Sequence, residues 1–329
     1  MRLTRSFFPE IRVLMIVWLL SPWPATQIAA QTPITIASPL APGQMQPALD
    51  RLSEIFPELT VTYRQMRSTQ IAAALRVHDH SEIDIAILPT PDIAVALTND
   101  GLAARFAADD TENWRGELHS IANDPAVFVY RPSAFADYDL PRNRLELVQF
   151  LEQNPSKTFQ RIGIVNIGID SVAYTLASQD SLRSPLFWRL TQAFGNAQAR
   201  IYNTEAELLD ALERGDIDFG YNVPLTAISA RENVGTGMQY SFPDDYVISL
   251  PWTLLVARDS GQNLHLSVAQ FLTLPENVDL FGLSTLSTFR ATATANYQPV
   301  PLGPELMVFL DQIKRSRFLD FWFQLATGI

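Results

Sequence analysis

The run YVISLPWTLLVA at residues 246–257 is β-rich and almost wholly apolar, and a matching run, AVFVY at residues 126–130, lies more than a hundred residues upstream. Between them the sequence alternates helical and strand patterns on its own account. Helices are expected near 144–152, 171–179, 185–193 and 205–214, and strands at 161–166, 199–202 and 217–221. An α/β block inserted between two apolar strands predicts two lobes joined by crossing strands, with 126–130 beside 246–257. The flanking sequence completes the first lobe. It reads as a strand in PITIASPLA at 33–41, a helix at 45–56 with Leu49, Leu52, Ile55 and Phe56 on one face, and a strand at 59–64. A helix at 68–77 and the strand 83–88 follow, then a helix opened by Pro91 and stopped at Asp100-Gly101. Past Val268 the chain reads as mainly helical, with two helices over 304–326. The alternation favours largely parallel sheets.

The N-terminus points to export. Arg2, Arg5 and Arg12 precede an apolar run of eight residues, 13–20, then Pro22 and Pro24 and the small pair Ala29-Ala30. That is the layout of a secretory signal peptide, with cleavage expected after Ala30. A membrane-spanning helix needs about 20 apolar residues. Removing residues 1–30 takes away three arginines and one glutamate, which moves the net charge from −11 to −13. So acidic a chain repels phosphates, which argues against a nucleic-acid partner. Cysteine is absent, so no disulfides staple the fold, and a chain of this length buries stable cores without them.

The candidate site residues lie where strands end and helices begin, since ligands of open α/β sheets sit at the carboxyl ends of strands and helix starts offer free N–H donors. Ser38 ends the first strand, or serves only its turn. Thr90, in Pro89-Thr90-Pro91, ends another or caps the helix that follows. Asn123 and Asp124 precede the crossing strand and either contact a ligand or cap a turn. In the inserted block, Asn166-Ile167-Gly168-Ile169-Asp170-Ser171 carries a strand into a helix start and is the strongest segment for anion contact, although Asp170 would repel an anion if it faced the cleft. Tyr202-Asn203 and Tyr221-Asn222 each pair a ring with an amide at a strand end, suited to a polar solute or to plain packing. His78-Asp79-His80 has the composition of a metal cluster but reads as a solvated loop. Neither a cofactor nor a metal site is expected. The histidines His78, His80, His119 and His265 lie outside any nucleophile motif, so a non-catalytic binder is expected, with an exported hydrolase as the rival.

The chain resembles, across its whole mature length, the periplasmic solute-binding proteins of bacterial ABC importers of the type with two crossing strands, a broad family that includes the ferric-ion binders. The resemblance is carried by Ile34-Thr35-Ile36-Ala37-Ser38, by Ile83-Asp84-Ile85-Ala86-Ile87-Leu88-Pro89-Thr90 with Leu97-Thr98-Asn99-Asp100-Gly101, by Asn123-Asp124-Pro125-Ala126-Val127-Phe128-Val129-Tyr130, and by Gly215-Asp216-Ile217-Asp218-Phe219-Gly220-Tyr221-Asn222. It implies lobes at 31–130, 131–245 and 246–329 (the last returning to the first lobe), a periplasmic monomer, and a small-molecule ligand held in the cleft. Its membrane partner would be an ABC permease. Leu-Thr-Asn-Asp-Gly and Gly-Tyr-Asn-Val are similar to a subset paired with sensor histidine kinases. The ferric binders carry an adjacent tyrosine pair just after the strand matching 217–221; here Asn222-Val223-Pro224-Leu225 follows. A small polar organic solute is therefore expected, with ferric ion as the alternative.

Overall fold

A computed structural model describes residues 31–77, 82–108, 112–231, 237–260, 263–281 and 296–328. The expected signal peptide and His78-Asp79-His80 lie outside these residues. The strands are β1 (Thr32–Ser38), β2 (Leu59–Gln65), β3 (Ile85–Leu88), β4 (Asn113–Trp114), β5 (Leu118–Tyr130), β6 (Ile162–Val165), β7 (Arg200–Tyr202), β8 (Phe219–Pro224), β9 (Gln239–Ser241), β10 (Val247–Val256) and β11 (Tyr297–Pro299). The helices are α1 (Pro42–Ile55), α2 (Ser68–Arg76), α3 (Pro91–Asn99), α4 (Arg144–Gln153), α5 (Pro155–Thr158), α6 (Ser171–Arg183), α7 (Leu186–Asn196), α8 (Glu205–Arg214), α9 (Leu225–Ser229), α10 (Asn263–Thr273) and α11 (Gln312–Thr327).

Strand order is β2-β1-β3-β10-β5-β8-β6-β7. The first lobe holds β2, β1 and β3 in parallel, with β10 antiparallel to β3; the second holds β8, β6 and β7 in parallel. One long strand, β5, belongs to both. Its first half pairs with β10 from His119 opposite Leu254 to Pro125 opposite Ser249, and its second half pairs with β8 and β9. The crossing arrangement therefore stands, but the pairing differs from expectation. Residues 126–130 lie beside β8 and β9, and the upstream half of β5 lies beside β10. Asn123 and Asp124 sit inside the strand. Asn-Asp-Pro is turn chemistry, and it is held extended because β10 pairs along it, with a register shift between Trp252 and Thr253.

Burial explains the apolar runs. All ten residues of β10 are buried, as in a strand covered on both faces. Ile34 and Ile36 enter one core and Ala37 the other, the alternation a pleated strand requires. In α6 the eight residues from Ala173 to Asp180 are buried in succession, so this helix is enclosed on every side. Leu176 joins the core of the first lobe although α6 grows out of the second. Glu207 turns back to accept from the Asn203 N–H at 2.9 Å at the start of α8, and Gly215 ends that helix in the left-handed region at φ 80°.

The C-terminal region differs from the two helices expected. Pro304–Phe309 forms a 3-10 helix, and α11 alone is α-helical. Helix α11 packs against α7 of the second lobe, with Phe318 stacked on Phe187 and Phe321 against Trp188. The approach depends on Gly195, where an added Cβ would meet the Leu325 carbonyl oxygen at 2.0 Å. Gly195→Ala is expected to cost about 1–3 kcal/mol through overpacking. An unchanged urea midpoint would count against a close α7–α11 contact.

Candidate functional site

The carboxyl end of β3 and the start of α3 bring Thr90 and Asp92 to the junction between the lobes, and Ser38 ends β1 in the same lobe. The second lobe brings Asp170 and Ser171 at the start of α6 and Glu205 at the start of α8; Tyr202, the last residue of β7, lies beside Arg200, Arg214 and Asp216. The two sides touch: Thr175, one turn into α6, lies 3.0 Å from the Asp92 carboxylate of α3.

Ser38 is fully buried, and its Oγ accepts from the Leu40 N–H at 3.3 Å while Tyr63 donates to its carbonyl. Its hydroxyl serves the turn. Thr90 is also fully buried, makes no side-chain cap on α3, and leaves Oγ1 without a hydrogen-bond partner. Asn123 is half-buried in β5, and its Oδ1 is enclosed without a partner. Tyr202 is half-buried, and burial raises its phenol above the usual range.

Asp170 caps α6, accepting from the Ala173 N–H at 2.9 Å. The helix start read from sequence as an anion contact is thus already occupied by a carboxylate. Asp170 also hydrogen-bonds Glu205, and burial raises both groups. Glu205 is pushed up to about 8, first by burial and then by the negative charge of Asp170, with Asp124 adding to it. Its Oε1 is buried and unpartnered. Asp124 accepts from Thr226 N–H at 3.2 Å, from the Thr226 hydroxyl and from Trp252 Nε1 at 3.3 Å. It ties the crossing strands to the start of α9. Burial moves it up to about 6, with those donors working the other way.

Tyr221 and Asn222 do not join this group. They belong to a buried cluster around Arg144, the first residue of α4. Arg144 Nε lies 2.8 Å from the Tyr221 hydroxyl and 3.0 Å from Asp180, Nη1 lies 2.9 Å from Asp245, and the guanidinium rests 3.7 Å from the centre of the Tyr246 ring. Tyr221, Tyr246 and Asn222 all donate to Asp180. Asn222 takes φ 51°, a left-handed conformation that Asn tolerates. Burial alone would weaken the Arg144 charge, but the oxygens of Tyr221, Asp180, Tyr246 and Asp245 outweigh it and hold it firmly protonated. The Tyr221 hydroxyl and the Asn222 amide help hold β8, α4 and α6 together.

Sequence reasoning missed Asp92, Thr175 and Glu205. Glu205 alone carried a signal, as an acidic first helical residue directly after the Tyr202-Asn203 strand end. A mostly apolar hollow among β6, β8, α6, α7 and α11 is lined by Ile164, Leu176, Phe187, Phe194 and Trp322, and it also takes in Tyr221 and Asn222 of β8 and Val165 and Ile167 at the carboxyl end of β6.

No family model and no curated protein matches the sequence; solved structures do match. A substrate-binding protein of an ABC transporter from Agrobacterium tumefaciens is similar at 24% identity and TM-score 0.80, over 91% of this chain and 96% of that one. Iron-bound HitA from Pseudomonas aeruginosa is similar at 15% identity and TM-score 0.64 over 90% and 99%, and a periplasmic thiamin-binding protein at 13% and 0.69 over 90% and 96%. The fold is that of the two-lobe periplasmic binding proteins with crossing strands.

Proposed function

We propose that the chain is a solute-binding protein of the periplasm that closes its lobes, bounded near residues 131 and 245, on a small polar organic solute. The closed form is what an inner-membrane partner reads, an ABC permease or a sensor histidine kinase, and the protein acts as a monomer. One observation carries the reading: two strand-end surfaces from different lobes meet at a junction holding polar atoms with no protein partner, Thr90 Oγ1, Asn123 Oδ1 and Glu205 Oε1. Buried polar atoms are ordinarily satisfied, and a solute with donors and acceptors would satisfy these. The charge limits its chemistry. Asp170 already holds the α6 N–H groups, and Asp170, Glu205 and Asp124 act on one another, so a phosphate ester or dicarboxylate meets repulsion. A neutral or positively charged solute suits the junction.

The ferric alternative asks for anionic oxygens, whereas the Tyr221 hydroxyl is tied to Arg144 and Asp180 and burial raises it well above the usual phenol range. The hydrolase rival asks for a histidine base beside a nucleophile, whereas His119 packs 4.1 Å from the Phe106 ring and hydrogen-bonds the Gly116 and Phe106 backbone, and His265 Nδ1 lies against the Ser260 carbonyl. A thermal-shift screen of the periplasmic protein over amines, amino acids, sugars, organic acids, phosphate esters and ferric ion, followed by calorimetry, is the test. Amines or neutral polyols are expected to raise the melting temperature and bind one to one without turnover. Tightest binding by a phosphate ester, turnover of the bound compound, or a tyrosinate–iron charge-transfer band would overturn the reading.

A further inference from the structure

The Asp92–Thr175 contact joins helices of different lobes, and its hydrogen bonding has an unusual constraint. Asp92 is 3% exposed. Thr175 Oγ1 lies 3.0 Å from Asp92 Oδ1 and also 2.8 Å from the Ser171 carbonyl oxygen. A hydroxyl has one proton to donate. If Asp92 is ionised, it keeps the N–H groups of Ile93 and of Asp92 itself, but two acceptors compete for the one Thr175 proton. If Asp92 carries a proton, it donates to Thr175 Oγ1 while Thr175 donates to Ser171, and every contact is a hydrogen bond.

We propose that Asp92 and Thr175 form a proton-gated latch that holds the two lobes together, closing with proton uptake by Asp92 and opening as the carboxyl ionises and hydrates. The surroundings support it. Burial pushes Asp92 up to about 6 against the pull of the Ile93 N–H, Thr175 and the Arg315 charge. Arg315 of α11 sits 4.0 Å over the Tyr174 ring, and the Tyr174 hydroxyl donates to the Phe309 carbonyl. Of the other ionisable groups on the elements packed against α3, Arg76 pairs with Asp100 at the far end of the helix and Glu305 is exposed; at α6, Asp170 caps its own helix, Asp180 is held by Arg144, and Arg183 bonds Gln179. In β5, Asp124 is held by Thr226 and Trp252 and His119 by Phe106; β10 has no charged residue. In the open form Asp92 is solvated and returns to the ordinary carboxylate range near 4. The proton is therefore taken up on closing, and closure strengthens as pH falls through about 6.

The latch requires lobes that hinge, and its test contains no solute, so its failure is separate from failure of the solute reading. The chain has no cysteine; Thr69→Cys on α2 and Ala206→Cys on α8 therefore place one spin label on each lobe of the periplasmic protein. Double electron–electron resonance should show the ratio of short- to long-distance populations rising on the order of tenfold from pH 7.5 to pH 5. Asp92→Asn, whose amide donates as the protonated acid does, should keep the short distance at both pH values and lose that response. Thr175→Val should lose the short distance, and Thr175→Ser should restore it. Should Thr175→Val fail to fold, the Asp92→Asn and Thr175→Ser arms still decide. Identical distributions for Thr175→Val and the parent, or an undiminished pH response in Asp92→Asn, would overturn the latch.

Discussion

Replacing Arg144 by leucine is expected to cost about 3–5 kcal/mol of unfolding free energy, the range for removing one partner of a buried ion pair. Arg144 and Asp180 both have fully buried side chains. Without the guanidinium, Asp180 keeps only the donors from Tyr221, Tyr246 and Asn222, and Asp245 and the Tyr246 carbonyl each lose a charged partner. Much of the expected loss is thus the stranded Asp180 charge. Adding Asp180→Asn to Arg144→Leu should therefore recover part of the stability, which a merely lost contact would not allow. Urea denaturation of the parent, the single and the double variant reads both effects. A single-variant loss under about 1 kcal/mol, or a double variant no better than the single, would contradict this account.

Stability should also fall as pH rises from about 5 to 8.5, the reverse of the usual acid-denaturation pattern. Glu205 is pushed up to about 8, and Asp92 and Asp124 to about 6, by burial in each case. A carboxyl raised in the folded state binds its proton more tightly folded than unfolded. Its stabilisation is complete below the unfolded value near 4 and is lost as pH climbs through the folded value. Glu205 extends the window furthest. With its partly exposed position and its shared hydrogen bond to Asp170, its loss is on the order of 1–3 kcal/mol. Melting curves across this range should place the maximum on the acid side, and Glu205→Gln should flatten the limb between about pH 6 and 8.5. A parent more stable at pH 8 than at pH 5.5 would contradict the prediction.

The lobed architecture was legible because local patterns agreed with the global answer. The ten buried residues of β10 are apolar or small enough to read as a strand covered on both faces, and the α/β alternation between 131 and 245 kept its period. Where local chemistry and tertiary pairing disagreed, the reading slipped. Asn123-Asp124-Pro125 has turn propensity, yet β10 draws it into the long strand that serves both sheets. Of the candidate residues, Asp170 and Ser171 start α6, which meets α3 just after Thr90, and Asn123 lies in the long crossing strand; Ser38 serves its own turn, and Tyr202 lies beside Arg200, Arg214 and Asp216 within the second lobe. Tyr221 and Asn222, expected at a strand end, sit instead in the middle of β8, which continues to Pro224, and are bound into the Arg144 cluster.

The amino-acid order by itself determined the acidic balance, the two-lobe α/β plan and the strand ends where polar groups gather. These follow from composition, period and turn residues, all local in the chain. Tertiary structure alone decided which of those groups are free. Asp170 caps its own helix, Asp180 meets Arg144 across thirty-six positions, and Thr175 meets Asp92 across eighty-three. The physical reason is that a carboxylate's charge, solvation and partners depend on what lies within a few ångströms in space. Residues far apart in sequence supply that surrounding, and only folding brings them together.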